Sequence, residues 1–530
     1  MMRDIVHGVL LVGITAVPVL SEPRPLKLTT AEYEDRVRGA WIGQIVATQM
    51  GFPFEGKVAS SSLVLVDRYP KPLEAAPVDD DYYYELVALR AFEKYGINMT
   101  LDQLGEQWKA NSAGSWGSSA QTRLALAKGV RGSEAGHPRH NRLWWTIGPQ
   151  FSADIYGMIS PGDPNLAGRL ARTYGHINGY AEGTDGAVFV AGMVSLAFRE
   201  TDPKVIVRQA AQLIHPSSPY RQCLDLVISM AEKGARPEEV FAAVEDRWRI
   251  EYPAMNNAVV NGGLVAASVW YGEGDYLKTV NLAYRASDFS DADCNAANAA
   301  AVVGAMKGAR VLPPHLVEPL NDRMVGTKMG GVELTPPVDE RLSDIVRRIA
   351  ALGRKMMAAH GAKADDDGIT VPYRAITTQS AELFRLGDLM KYWNPDWSLE
   401  RAGFGGVRRP PCSLLGTYLS GDVLATWPRD EARGLVLRRK LKLGPSPSLE
   451  LEVAADRGCA WQLDVFVNNT HLLGKLIEGG DGRSDDRDWQ RLTVDLSAFA
   501  GQEVEIRLYQ RTLLAERIAG NAYWRAIRVR

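Results

Sequence analysis

The hydrophobic pattern of the chain changes once, near Asn394 and Pro395. From about residue 30 to residue 390, apolar residues recur at helical spacing, and several of the predicted helices are rich in alanine and glycine. After the Asn-Pro pair, apolar and polar residues alternate in short runs separated by Gly, Pro and Asp, which is typical of antiparallel strands. The pattern therefore predicts a multidomain protein in which an all-α domain precedes an all-β, jelly-roll-like sandwich.

Length and charge agree with this division and limit the classes of partner. A chain of 530 residues is too long for one hydrophobic core, so we expect a helical domain over residues 22–394 and a sandwich over residues 395–530. The net charge is −2 and no block is rich in Lys and Arg, so nucleic acid is not an expected partner. No later segment reaches the roughly 20 apolar residues of a membrane-spanning helix, so we expect no membrane span.

The first 21 residues are predicted to be a signal peptide. Arg3 supplies a positive start, residues 5–19 are almost all apolar, and Ser21 is a small residue before a possible cleavage site. The alternative is a short buried helix. We therefore expect a secreted or periplasmic protein, in the form of a monomer or a small homo-oligomer. The four cysteines have neither metal-type nor redox spacing, although one late pair could form a disulfide.

Two groups of aspartates each come shortly before a predicted helix: Asp79, Asp80 and Asp81, and then Asp291 and Asp293. One interpretation is that each group only caps its helix, because carboxylates accept hydrogen bonds from the free N–H groups there. Capping explains one acid per helix but not three in a row. Five carboxylates brought together would repel one another unless a cation neutralised them, and oxygen ligands of this kind suit Mg²⁺, Mn²⁺ or Ca²⁺.

A third acidic run, Asp365-Asp366-Asp367-Gly368, resembles a calcium-binding loop only superficially. We expect it to be a solvated turn.

The motifs around the two aspartate groups resemble those of the ADP-ribosylglycohydrolase family. Gly39 and Gly43, which also suit close helix packing, precede Gly51-Phe52-Pro53-Phe54-Glu55, and the two aspartate groups follow in the order found in the family. The segments 145–150, 161–164 and 176–179 add further matches, so the resemblance covers about residues 33–310. It implies an all-α catalytic domain with two Mg²⁺ or Mn²⁺ ions in a central cleft.

The resemblance also implies a role for individual residues. The implied metal ligands are Asp79, Asp80, Asp81, Asp291, Asp293 and Cys294. The implied catalytic residues are Glu55, Asp80 and Asp293. The implied substrate-binding residues are His176, Asn178, Asp185 and Gln150.

The chain departs from the family pattern at several places near this implied site, and Asp79, Tyr82 and Ala292 stand where threonine is typical. Cys294 stands where a hydroxyl ligand is usual, and a thiol is a poor ligand for Mg²⁺. Ala47-Thr48 replaces a Gly-Asp pair that usually comes eight residues before the glutamate that corresponds to Glu55.

The activity that the resemblance implies is hydrolysis of an N- or O-glycosidic bond of an ADP-ribosyl or other ribofuranosyl-type substrate. Divalent cations can hold the sugar hydroxyls and acidify water, and a carboxylate can transfer a proton. Export would separate the enzyme from cytosolic ADP-ribosylated proteins, which favours another small molecule or a glycan. Residues 489–508 resemble the closing strands of galactose-binding-like, carbohydrate-binding modules. The alternatives are a non-catalytic carbohydrate- or nucleotide-binding protein and a metal-dependent phosphoesterase.

Overall fold

Helices dominate the chain as far as Trp393, and strands dominate it from Ser398 onward. The computed structural model describes residues 24–58, 65–286, 288–480 and 487–530. The predicted order of a helical domain and a sandwich is confirmed, whereas the predicted signal peptide lies outside the described residues. No helix within the described ranges is long and apolar enough to cross a membrane.

The described part of the chain contains both long helices and short helical turns. They are α1 (Thr30–Gly51), α2 (Asp80–Tyr95), α3 (Leu101–Ala110), α4 (Gly117–Ala127), α5 (Gly132–Ala135), α6 (Gly148–Phe151), α7 (Asp154–Met158), α8 (Pro164–Gly175), α9 (Glu182–Ala197), α10 (Pro203–Ala211), α11 (Pro219–Glu232), α12 (Pro237–Trp248), α13 (Ala258–Gly272), α14 (Tyr276–Tyr284), α15 (Ala292–Lys307), α16 (Pro314–Val317), α17 (Leu342–Ala359) and α18 (Met390–Trp393).

Helices α1 and α15 lie side by side in the core of the helical domain. A Cβ atom built on Gly39 would lie 2.6 Å from the carbonyl oxygen of Gly304, so a larger residue would force the two helices apart. A Cβ atom on Gly51 would lie 2.7 Å from the Cα atom of Asp293. The two helices therefore run antiparallel, so that the end of α1 lies beside the start of α15.

The helical domain is not purely α-helical, which corrects the all-α prediction. Two small three-stranded sheets lie in it, with the strand orders β1-β6-β5 and β2-β3-β4. Their strands are β1 (Leu26–Thr29), β2 (Ala76–Pro77), β3 (Arg323–Met329), β4 (Val332–Arg341), β5 (Lys363–Ala364) and β6 (Gly368–Val371). The turn between β3 and β4 is Gly330-Gly331, and both glycines have positive φ, as two-residue hairpin turns require.

The sandwich consists of two five-stranded antiparallel sheets, with the orders β13-β12-β15-β10-β7 and β14-β11-β16-β9-β8. The strands are β7 (Ser398–Glu400), β8 (Tyr418–Ser420), β9 (Val423–Thr426), β10 (Leu435–Lys442), β11 (Ser448–Ala455), β12 (Ala460–Val467), β13 (Thr470–Glu478), β14 (Gln490–Asp495), β15 (Glu503–Arg511) and β16 (Ala522–Val529). Trp461 and Trp524 meet in its core with ring centroids 5.0 Å apart, and the late pair Cys412–Cys459 forms a disulfide.

Aromatic side chains join the segment that follows β7 to the helical domain. The ring of Phe404 stacks on Tyr252 with centroids 4.8 Å apart and meets Trp145 edge-on at 5.3 Å. Because all three side chains are buried, this contact fixes the start of the sandwich against the helices.

Candidate active site

The first aspartate group forms the start of α2. Asp79 is the N-cap residue, and its side chain accepts a hydrogen bond from the backbone N–H of Asp81 at 3.3 Å. Asp80 and Asp81 occupy the first turn. Helix capping therefore explains Asp79, as one interpretation of the sequence predicted. It does not explain the carboxylates of Asp80 and Asp81.

The second aspartate group lies at the start of α15. Asp291 precedes the helix, but its side chain makes no capping hydrogen bond. The backbone N–H of Asp291 donates instead to the side-chain oxygen of Asn261 at 3.1 Å, and the side chain of Asn295 donates to the same oxygen at 2.7 Å. Asn261 therefore holds the start of α15 in place while the Asp291 carboxylate stays available.

Both groups surround one cavity of about 400 Å³. The acidic and thiol groups that line it are Glu55, Asp79, Asp80, Asp291, Asp293 and Cys294. Within each group, three potential ligand atoms lie within 4.8 Å of one another: those of residues 79–81, and those of Asp291, Asp293 and Cys294. The structure thus brings together acids that are separated by about two hundred positions in the sequence.

The carboxylates of the cavity strongly disfavour one another's charge. Burial raises the pKa of Asp79 to about 6 and that of Asp291 to about 7. Burial, followed by the negative charges of neighbouring aspartates, raises the pKa of Asp80, Asp81 and Asp293 well above the usual range. Asp81 and Asp293 also each have one buried oxygen, Oδ1 in both, that lacks a hydrogen-bond partner among the described residues. Such a group is the kind of site that a bound cation stabilises.

Cys294 connects the two groups. Its thiol hydrogen-bonds to the carboxylates of Asp81 and Asp291, which offsets part of the rise in pKa that their burial causes. Burial and the same carboxylates raise the pKa of the thiol well above its ordinary value. The neutral thiol therefore acts here as a hydrogen-bond donor.

The side chain of Thr48 forms a hydrogen bond with the carboxylate of Asp81. Its hydroxyl lies 2.8 Å from Oδ2 of Asp81 and 3.0 Å from the backbone oxygen of Gln44, one turn earlier in α1. The departure from the family pattern at Ala47-Thr48 thus supplies a buried hydroxyl that contacts an aspartate of the site. The sequence alone does not predict this role, because only the fold brings α1 and α2 to this distance.

Glu55 lies in the loop that follows α1, at the mouth of the cavity. This loop is tied to the segment before α15: the N–H of Gly56 donates to the oxygen of Ser290 at 3.0 Å, and the N–H of Phe289 donates to that of Lys57 at 2.7 Å. Partial burial raises the pKa of Glu55, and its charge in turn raises the pKa of Asp79 and Asp291. Glu55 therefore belongs to the same electrostatic site.

Uncharged residues, both polar and apolar, complete the cavity, and no charged or metal-ligand motif in the sequence marks them as part of it. They are Phe52, Trp116, Gly117, Ser118, Ser119, Thr146, Ile147, Gly148, Phe151, Met255 and Asn256. The Trp116 side chain is 48% exposed, and it packs on Gly330 of the β3–β4 turn. Its indole is thus held at the cavity while one part of it faces solvent.

A family model described as ADP-ribosylglycohydrolase matches residues 29–356. The chain belongs to the ADP-ribosylglycohydrolase family. Members of this family are metal-dependent, and membership supports an activity on glycosidic bonds. No curated protein matches the chain.

Two solved structures are similar to parts of the chain and match different shares of it. One, titled "ADP-ribosylglycohydrolase-related protein complex", is 15% identical, covers 62% of this chain and 99% of its own, and has a TM-score of 0.39. The other, titled "CBM4 structure and function", is 16% identical, covers 26% of this chain and 87% of its own, and has a TM-score of 0.19.

None of the four predicted substrate-binding residues is among the described residues that line the cavity. His176 Nε2 lies 2.7 Å from Glu382 Oε2, and Asp185 pairs with Arg172. Their roles in binding stay predictions.

Gln150 and Asn178 complete this set. Gln150 Oε1 accepts a hydrogen bond from the Tyr220 hydroxyl at 3.0 Å. Asn178 donates to the Ser119 hydroxyl at 2.9 Å, and Ser119 lines the cavity, so Asn178 reaches the site through one neighbour.

Proposed function

We propose that this protein is a divalent-metal-dependent glycoside hydrolase that cleaves an N- or O-glycosidic bond of a ribofuranosyl-type substrate. The observation that carries the proposal is one cavity that the starts of α2 and α15 line with Asp79, Asp80, Asp291 and Asp293 beside Glu55, with Asp81 buried next to them. Membership of the ADP-ribosylglycohydrolase family supports the class of bond.

The donor set fits two Mg²⁺ or Mn²⁺ ions. Asp79, Asp80, Asp81, Asp291 and Asp293 would hold them, because clustered carboxylate oxygens are the ligands that hard cations prefer. The unpaired Oδ1 atoms of Asp81 and Asp293 support this assignment. When bound, such ions would fix the sugar hydroxyls and lower the pKa of water. Cys294 would contribute as a neutral donor between the two groups.

The carboxylate of Glu55 is proposed to move the proton of the reaction. Its position at the mouth of the cavity places it where a leaving group or an attacking water would enter. Partial burial raises its pKa from the usual value toward neutrality, and a general acid or base works best when its pKa is near the working pH. Asp80 and Asp293, which line the cavity, are also proposed to be catalytic residues.

The uncharged part of the cavity suits a sugar with an aromatic or apolar leaving group. The hydroxyls of Ser118 and Ser119 and the side chain of Asn256 offer hydrogen bonds to sugar oxygens. Trp116 and Phe52, both partly exposed, offer ring faces on which a base or a second sugar can stack.

We propose that the reaction takes place outside the cytoplasm. The predicted signal peptide supports export, and the Cys412–Cys459 disulfide is the kind of crosslink that persists in oxidising compartments. A nucleoside, a furanoside or a glycan is then a more accessible substrate than a cytosolic ADP-ribosylated protein. We further propose that residues 22–394 form the catalytic domain and residues 395–530 a carbohydrate-binding sandwich.

The test is a substrate screen with Mg²⁺ or Mn²⁺ over furanosides, nucleosides and ADP-ribosyl conjugates. We expect release of a free sugar by the wild-type protein, loss of turnover in Asp80→Asn, and a large decrease in Glu55→Gln. Glu74→Gln, at an exposed glutamate outside the cavity, is the matched control and should behave as wild type.

Two results of the screen would replace the proposal with one of its alternatives. Release of phosphate from model esters instead of sugar would indicate a metal-dependent phosphoesterase. Binding of a sugar or nucleotide without turnover of any substrate would indicate a non-catalytic protein, the alternative that the thiol at position 294 favours.

A further inference from the structure

The two acidic groups of the cavity differ in the atoms that they offer to a cation. Residues 79–81 offer carboxylate oxygens alone, whereas Asp291, Asp293 and Cys294, the sulfur-containing group, offer two carboxylates and one sulfur. Hard ions such as Mg²⁺ select oxygen ligands, and sulfur favours softer divalent ions such as Zn²⁺, which also accept carboxylates. The sulfur-containing group is therefore chemically distinct from the first group.

The sulfur of Cys294 lies where an ion in the cavity can approach it. Cys294 lines the cavity together with both aspartates of its group. Three ligand atoms, one from each of these residues, lie within 4.8 Å of one another. Small rotations of the side chains would let one ion contact all three.

The aspartates of the sulfur-containing group keep capacity for such an ion. The Asp291 side chain makes no capping hydrogen bond although it directly precedes α15. Oδ1 of Asp293 is buried without a hydrogen-bond partner among the described residues. A buried carboxylate that lacks partners is costly, and a cation bound by the same carboxylate neutralises its charge.

Cys223, the other cysteine outside the disulfide, has different surroundings. It lies on α11 and is fully buried, and a Cβ atom built on Gly263 of α13 would lie 2.7 Å from its sulfur. Cys223 is not among the described residues that line the cavity. Its sulfur packs between two helices, so the chain contains a matched control for the thiol of Cys294.

We propose that the sulfur-containing group binds a thiophilic divalent cation of the class of Zn²⁺, beside a harder ion such as Mg²⁺ on residues 79–81. This inference rests on the proposed function, because it assigns one of the two ions that the function requires. The S–H bond of Cys294 would break, its proton would pass to solvent, and its sulfur would form a bond to the ion. Mg²⁺, a poor partner for sulfur, would leave the thiol protonated.

The competing interpretation is that the thiol only replaces a hydroxyl. It would then donate hydrogen bonds to Asp81 and Asp291 and take no part in binding an ion. Serine at this position would serve soft and hard ions equally well. The two interpretations therefore differ in how Cys294→Ser changes the binding of each class of ion.

The experiment is an absorption titration of the metal-free full chain with Co²⁺, which takes the place of Zn²⁺ and absorbs light. The wild-type protein should show a sulfur-to-cobalt charge-transfer band in the near ultraviolet, because oxygen ligands do not give this band. Cys294→Ser should lose the band, and Cys223→Ala should keep it.

Calorimetric titrations of the same proteins add the affinities. Cys294→Ser should bind Co²⁺ ~10-fold or more weakly than wild type, because loss of even an outer partner of a metal costs ~10–100-fold. The same variant should bind Mg²⁺ at least as tightly as wild type, since a hydroxyl is a harder ligand than a thiol.

Three results would overturn the inference. The first is that wild type binds Co²⁺ without the band, which would leave the metal site of the proposed function intact. The second is that the band persists in Cys294→Ser or is lost in Cys223→Ala. The third is that Cys294→Ser, shown by thermal unfolding to be folded, changes the affinities for Co²⁺ and Mg²⁺ by the same factor. Failure of wild type to bind Co²⁺, Mg²⁺ or Mn²⁺ would contradict the proposed function itself.

Discussion

The chain contains the sequence Asp-Asp-Asp twice, at residues 79–81 and at residues 365–367, and the two runs have different environments. The first begins α2, lies mostly buried, and faces Asp291 and Asp293 across a cavity. The second lies exposed between β5 and β6, where Asp365 accepts a hydrogen bond from the N–H of Gly368 at 3.2 Å. Three aspartates in a row therefore indicate a site only when the fold buries them opposite further acids.

Glu382 provides a third case, a largely buried acid whose charge is stabilised by other side chains of the protein. Glu382 lies between His176 and Arg172, at 2.7 Å and 3.8 Å. Burial opposes its charge, but these partners together lower its pKa to about 2. In the cavity, the charges that act most strongly on Asp80 and Asp293 belong to other acids, and their pKa is raised. The contrast supports the proposal that a cation neutralises the acids of the cavity.

The largest effect is expected when the two aspartate runs are compared by substitution. Asp293→Asn should lower turnover by more than ~100-fold, because loss of a ligand exceeds the ~10–100-fold cost of losing an outer partner of a metal. Asp366→Asn in the exposed run should leave turnover unchanged. Steady-state kinetics on the substrate found by the screen provide the measurement. Equal losses in the two variants would remove the distinction between the runs.

Glu382→Gln tests the arrangement in which Arg172 and His176 are the partners of the acid. The pKa of Glu382 falls from 4.5 to about 2 in the folded protein, which corresponds to ~3 kcal/mol at ~1.4 kcal/mol per pH unit. Because the folded pKa is the lower one, this stability is present above about pH 4.5 and is lost as the pH falls toward 2.

Denaturant unfolding at several pH values measures this effect. The free energy of unfolding of Glu382→Gln should be lower than that of wild type at pH 7, and the gap should close in acid. A gap that is constant with pH would show that the variant only disturbs packing.

Thr48→Val is expected to have the smallest effect on the site. It removes the hydroxyl that donates to Asp81 and keeps the shape of the side chain. Because such supporting hydrogen bonds orient a metal ligand, the affinity for Mn²⁺ should fall by ~10–100-fold. Thr48→Ser keeps the hydroxyl and should retain most of the affinity. If Val and Ser bind Mn²⁺ equally, the hydroxyl has no part in the site.

The domain order could be predicted because it depends on local patterns, and the acids that line the cavity could be predicted because they lie in motifs that resemble those of the family. The sequence was not sufficient for α13, which is buried on almost every side and so lacks an amphipathic period. The small sheets of the helical domain were missed for a related reason, since β1 and β6 are far apart in sequence and short. The roles of Thr48 and Asn261 depend on contacts between helices, which no local pattern contains.

The measurement that tests the central claim most directly is a calorimetric titration of the metal-free protein with Mn²⁺. The wild-type protein and Asp366→Asn should bind Mn²⁺ with the same affinity, and Asp80→Asn should lose most of that affinity. Absence of binding by the wild-type protein, or equal binding by Asp80→Asn, would contradict a metal site built from the two aspartate groups.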